Sequence, residues 1–179
     1  MLTRGKRIVA LGFLVAAACG VATEGSIAQA TTQNSSFTVS VTIAASCTIS
    51  AGPLAFLSPG ALTANVDQTS TIAITCTSTT PYTVGLDNGV NFSSGTRRMK
   101  DTGAGTTFVN YGLYTDSART NAWTTTTSTT TCTGGANTCA VGTGAGSNQN
   151  ITVYGRVPAQ TPTPAPATYT DTIVATVTY

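Results

Sequence analysis

Downstream of residue 30, only the cysteines prescribe a covalent chemistry by type and number: Cys47, Cys76, Cys132 and Cys139. An even set in an exported chain points to disulfides formed in an oxidising compartment. Four cysteines allow three pairings. Cys47–Cys76 and Cys132–Cys139 are favoured, because each cysteine lies in or beside a predicted strand near its neighbour in sequence. Zinc is disfavoured, since the chain has no histidine and no C-x-x-C pair.

Other chemistries find little purchase. Without histidine the commonest general base and the usual Ser or Cys triad partner are missing. Asp67, Asp87, Asp101, Asp116 and Asp171 stand singly, and no pair has the spacing for two-carboxylate hydrolysis. The Gly103–Gly105 and Gly142–Gly146 segments lack the Lys-Ser/Thr of a phosphate-binding loop and read as flexible loops. Arg97-Arg98-Met99-Lys100 is the single basic cluster and reads as a solvated edge. Asn34, Asn91 and Asn150 head N-x-S/T triplets, a cheap match in a Thr/Ser-rich chain. Trp123 and the six tyrosines are candidates for a sugar-binding face, although core packing is the plainer reading. No catalysis, cofactor, metal site or small-molecule substrate is expected.

The elements that position these residues begin after a leader. Arg4, Lys6 and Arg7 precede an apolar run from Ile8 to Cys19, and Ala28-Gln29-Ala30 offers a signal-peptidase site. Residues 1–30 therefore read as a signal peptide for Sec export. Acylation at Cys19 is the rival, but Ala16-Ala17-Ala18 lacks the leucine usual before a lipidated cysteine. The remaining chain holds five aspartates and five bases (Arg97, Arg98, Lys100, Arg119 and Arg156), so its net charge is near zero. Nucleic acid is thereby an unsuitable partner. So few charges also suit a protein that ends in an assembly rather than a free monomer.

Abundant threonine and few helix formers predict an all-β domain. Strand signals recur over Ser36–Ala44, Ser46–Ser50, Thr69–Thr77, Tyr82–Leu86, Thr106–Tyr114, Gln149–Val157 and Tyr169–Tyr179, with Arg97–Asp101 a short edge strand or a loop. Four prolines in Pro158–Pro166 exclude a central strand there. Seven to nine short strands suggest a sandwich of immunoglobulin size.

The two terminal strands are the anomaly. Phe37, Val39, Val41 and Ile43 alternate with Thr38, Ser40 and Thr42; Ile173, Ala175, Val177 and Tyr179 alternate with Val174, Thr176 and Thr178. Chain ends are ordinarily polar and frayed. Ala44-Ala45 is too short to reverse the chain into Cys47–Ser50. Either Ser36–Ser50 is one long bent strand, or its first half leaves the domain. By pattern alone the intramolecular strand is favoured.

Several segments resemble, in order, the spore coat U domain family, which includes the pilins of archaic chaperone–usher pili. They are Phe37–Ile43 four residues before Cys47, Ile72-Ala-Ile-Thr-Cys76, Tyr111-Gly-Leu-Tyr-Thr-Asp-Ser-Ala-Arg-Thr-Asn121, Val153–Pro158 before its Pro-rich loop, and Tyr169–Tyr179. The Thr124–Thr131 run and the Cys132–Cys139 loop depart from the family pattern. The resemblance implies an incomplete immunoglobulin-like β-sandwich completed by a donor strand from a neighbouring subunit. It implies a donor extension over residues 31–45, carrying Phe37, Val39, Val41 and Ile43, and a pilin domain over 46–179. Ile173, Ala175, Val177 and Tyr179 would then line the acceptor groove and meet the chaperone. The implied partners are neighbouring pilin subunits in a homopolymer, a periplasmic chaperone and an outer-membrane usher. The implied location is transiently the periplasm and then a surface pilus, serving adhesion and biofilm formation. A spore or cell-surface coat protein of the same fold is the first alternative, and a carbohydrate-binding tip adhesin the second.

Overall fold

In the computed structural model, residues 28–57, 60–103, 105–126, 128, 131–135 and 137–179 are described. The leader up to residue 27, with Cys19, lies outside them. Residues 1–40 and 41–179 separate as two units. In the first, residues 28–40 take no regular secondary structure.

The described residues of 41–179 form nine strands: β1 (Cys47–Ala51), β2 (Val66–Cys76), β3 (Pro81–Leu86), β4 (Arg97–Asp101), β5 (Phe108–Tyr114), β6 (Ala140–Thr143), β7 (Asn148–Val157), β8 (Tyr169–Thr170) and β9 (Ala175–Thr178). They form a six-stranded sheet in the order β1-β2-β7-β5-β4-β8 and a three-stranded sheet in the order β6-β3-β9. All pairings between these strands are antiparallel.

The period-2 pattern explains how the sheets pack. On β2, Ile72, Ile74 and Cys76 point into the core; on β5, Val109, Tyr111 and Leu113; on β7, Val153 and Val157. Their neighbours along each strand are mostly polar and face outward. Trp123, 1% exposed, fills the space between sheets and donates its indole N–H to the Val84 carbonyl at 3.0 Å.

Strand β3 is different, because Tyr82 to Leu86 are all buried. One face meets the core, and Thr124–Thr126 and Ser128 lie against the chain on the other side. The Leu86 amide donates to the Thr124 carbonyl, and the Thr83 hydroxyl donates to the Ser128 carbonyl at 2.6 Å. A Cβ on Gly85 would sit 2.5 Å from the Thr126 nitrogen, so glycine is required for this close approach.

Three expectations need correction. The Gly142–Gly146 segment is not simply a loop: Gly142 lies within β6, where the Tyr82 ring occupies the room a side chain would take. Arg97–Lys100 is not a solvated edge. β4 lies between β5 and β8, and Arg97 is buried with its guanidinium donating to the carbonyls of Leu86, Asp87 and Trp123. Nor is Tyr169–Tyr179 one strand. β8 pairs with β4 in the larger sheet, β9 pairs with β3 in the smaller, and residues 171–174 cross between them.

Candidate assembly groove

The edges of the two sheets define the site. β1 ends one side of the larger sheet and β9 ends one side of the smaller. They lie near each other but exchange no ladder hydrogen bonds. The seam between such edges exposes unpaired backbone groups, which form a template for an added strand.

Two apolar clefts adjoin along the C-terminal segment, and the smaller of them reaches the β1 and β9 edges through Ala51 and Ala175. One, of about 530 Å³, lies between residues 51–56 and the C-terminal segment, with Met99, Tyr111, Leu113 and Val153 at its base. The other, of about 870 Å³, lies between residues 54–57 and the Pro-rich loop. Leu54, Phe56, Met99, Tyr169 and Thr170 border both. Leu54 and Phe56 reach the first cleft because Gly155, buried on β7, has no side chain. A Cβ there would stand within 2.9 Å of both.

The C-terminal segment alternates along this wall. Tyr169, Asp171, Ile173, Ala175 and Val177 are half-buried, while Thr170, Thr172, Val174 and Thr176 are exposed. Ile173 and Ala175 line the smaller cleft together. Val177 packs against the core but borders neither cleft, and Tyr179 is half exposed. Half-burial of inward-facing aliphatic side chains leaves apolar surface in water, at roughly 25 cal/mol per Å².

The crossover between β8 and β9 is held by polar groups. The Tyr111 hydroxyl donates to Asp171 Oδ2 at 2.6 Å, and the Asn91 amide and side-chain NH₂ donate to Asp171 Oδ1 at 3.2 and 3.1 Å. The Val174 amide donates to Asp87 Oδ1 at 3.0 Å, while the Asp87 amide donates to the Val174 carbonyl at 3.1 Å. Gly89, at φ 81°, completes the Asp87–Asn91 turn, and a Cβ there would meet Asp171 Oδ2. Beneath the turn, burial lowers the pKa of Arg97, opposed by Tyr111, Asp87 and Asp171. Burial, followed by the hydrogen bond to Asp171, pushes the Tyr111 hydroxyl far above the ordinary tyrosine value.

The four cysteines downstream of residue 30 are paired. Cys47 is bonded to Cys76, its register partner across β1 and β2, and Cys132 is bonded to Cys139. Residues 41–46, which lead into β1, take no strand. Phe37, Val39, Val41 and Ile43 are 87%, 83%, 85% and 80% exposed. Residues 36–46 take no strand, so the expected Ser36–Ala44 strand does not form among the described residues.

The family resemblance assigned Ile173, Ala175, Val177 and Tyr179 to an acceptor groove and named none of Tyr111, Leu113, Met99, Leu54 and Phe56, which border the clefts. The last two carried a signal, being large apolar residues in a loop punctuated by glycine and proline. Tyr111 and Asp171 each stand in a quoted motif, but their contact spans 60 residues and has no periodicity to reveal it.

Fold and site together define an incomplete immunoglobulin-like β-sandwich, open along the seam between two edge strands. The chain belongs to the spore coat protein U domain family, which matches it over residues 33–176. Its fold is similar to that of a chain in a crystal structure from Acinetobacter baumannii, the CsuC–CsuE chaperone–tip adhesion subunit pre-assembly complex of archaic chaperone–usher Csu pili. That likeness has a TM-score of 0.55 at 24% identity and covers 77% of this chain and 41% of the other, so this chain spans less than half the length of its solved relative. No curated protein matches it.

Proposed function

We propose that this chain is an exported, non-enzymatic structural subunit that polymerises by donor-strand exchange into a surface pilus. In this reading Phe37, Val39, Val41 and Ile43 of one copy enter the groove of the next, against Ile173, Ala175 and Val177. The observation that carries it is a pairing of opposites in one chain: four alternating apolar side chains outside both sheets, and an apolar groove along a sheet seam. Burying four side chains of this size stabilises the joint by roughly 6–12 kcal/mol before entropy losses. Backbone pairing along the edge adds affinity, and alternate pockets give specificity.

Before assembly, a periplasmic chaperone occupies the groove, and an outer-membrane usher directs the exchange. The solved relative supports the chaperone step, because that complex contains a chaperone bound before assembly. Export through the Sec pathway brings the subunit to the periplasm, and the fibre serves adhesion and biofilm formation at the cell surface. A coat protein is the second reading, favoured by the description of the matched family. Neighbouring chaperone and usher genes would separate the two.

Deleting residues 31–45 tests the proposal. The truncated subunit should form no fibres by electron microscopy, yet still bind a peptide spanning Ser36–Ser46. Fibres of normal length from the truncated protein would sink the donor-strand reading.

A further inference from the structure

The contacts around residues 171–174 do more than satisfy polar groups. The C-terminal segment belongs to two sheets, and each sheet positions only its own end: β8 is fixed by β4, and β9 by β3. The short β8 contributes just two residues to its ladder. Alignment of Tyr169 with Ile173 and Ala175 along one wall thus depends on the crossover.

Three residues grip that crossover from two other elements. Tyr111 reaches it from β5; Asp87 and Asn91 reach it from the turn after β3. Tyr111, Asp171 and Ile173 also line the smaller cleft, so the grip forms part of the groove wall. Tyr111 donates to one carboxylate oxygen and Asn91 to the other, which fixes the Asp171 side chain by both ends. Hydrogen bonds to an ionised carboxylate are stronger than neutral ones.

We infer that Tyr111, Asp171 and Asn91 form a latch that sets the register of the C-terminal wall and thereby the residence time of the strand docked against it. The docking half rests on the donor-strand reading; the latch itself does not. Tyr111 and Asp171 are positioning residues, acting through the backbone of 171–178.

The test uses the mature chain with Tyr111→Phe, and separately Asp171→Asn. One measurement is amide hydrogen exchange; the other is the dissociation rate of a labelled peptide spanning Ser36–Ser46. Each variant should speed exchange across residues 171–178 about tenfold, the scale of one lost charge-assisted bond, while β2 and β7 keep their protection. The peptide should leave about tenfold faster. Unchanged exchange and unchanged peptide release in both variants would overturn the latch, and so would acceleration spread evenly over all strands, which marks a merely structural role. Faster local exchange with unaltered peptide release would overturn its control of docking. Failure of the wild-type chain to bind the peptide would instead overturn the donor-strand reading, and with it the docking half, leaving the latch to be judged on exchange.

Discussion

At the residue scale, two arginine sites show how a chain with few charges uses them. Among the described residues Arg97 is buried without an ion-pairing carboxylate, and its guanidinium fork serves three carbonyls, those of Leu86, Asp87 and Trp123. Lysine has no planar fork to span them. Arg97→Lys should lower stability by about 1–3 kcal/mol through carbonyls left unsatisfied, read as a shift in urea midpoint at constant m-value. Asp67 lies on the outer face, paired with Arg156 at 2.7 Å and Arg119 at 3.2 Å. The hydrogen bond from Arg156 is the main reason its pKa falls below the usual 3.8, and the same bond raises that of Arg156. A carboxylate depressed in the folded state stabilises at pH above its unfolded value and loses that contribution as pH falls through the folded value. The pair is well exposed, so its contribution is below about 1 kcal/mol. Urea titrations from pH 6 down to pH 2 should show stability falling below about pH 4, and Asp67→Asn should flatten part of that fall. The composition made Arg97 look like an edge charge; its burial depends on a turn ten residues upstream in the chain, and no local pattern encodes that.

At the element scale, the disulfides close loops of very different length, with sequence separations of 29 and 7. In the chain-entropy treatment the longer loop is worth about 3–4 kcal/mol and the shorter about 2 kcal/mol. Replacing Cys47 and Cys76 together by alanine should therefore cost more than replacing Cys132 and Cys139, in thermal denaturation of the chain carrying one bridge at a time. An equal or larger loss at the short loop would show that it stabilises chiefly through the Thr-rich segment it anchors beside β3. Strands with clear period-2 alternation were legible in the sequence: β2, β5 and β7 fall where Ile72, Tyr111 and Val153 alternate with polar neighbours. The division of Tyr169–Tyr179 into β8 and β9 was not. Its alternation runs unbroken through the crossover, because the same odd-numbered residues face inward on both sides. Only the partners, β4 and β3, reveal the switch. β6 was missed for another reason: its glycine makes room for Tyr82, and a glycine-rich stretch looks like a loop until its neighbour is known.

At the scale of the whole molecule, the groove has a property that bears on how quickly it fills. Among the described residues that border the two clefts, Asp171 is the one charged side chain, and Tyr111 and Asn91 already occupy its carboxylate. The segment from Ser36 to Ser46 carries no charge at all. Encounter between the two therefore lacks long-range electrostatic guidance, and its rate belongs in the unsteered range of about 10⁵–10⁶ M⁻¹s⁻¹ or below. Stopped-flow association of the peptide should change less than about twofold between 50 and 500 mM NaCl, whereas a steered encounter would slow steeply across that range. Under the proposed donor-strand exchange, spontaneous joining of dilute subunits would be limited by collision and by ordering of the incoming strand. A joint of this kind gains speed from confinement, through any partner that holds two subunits at high local concentration, and the ionic composition of the surrounding medium leaves it nearly untouched.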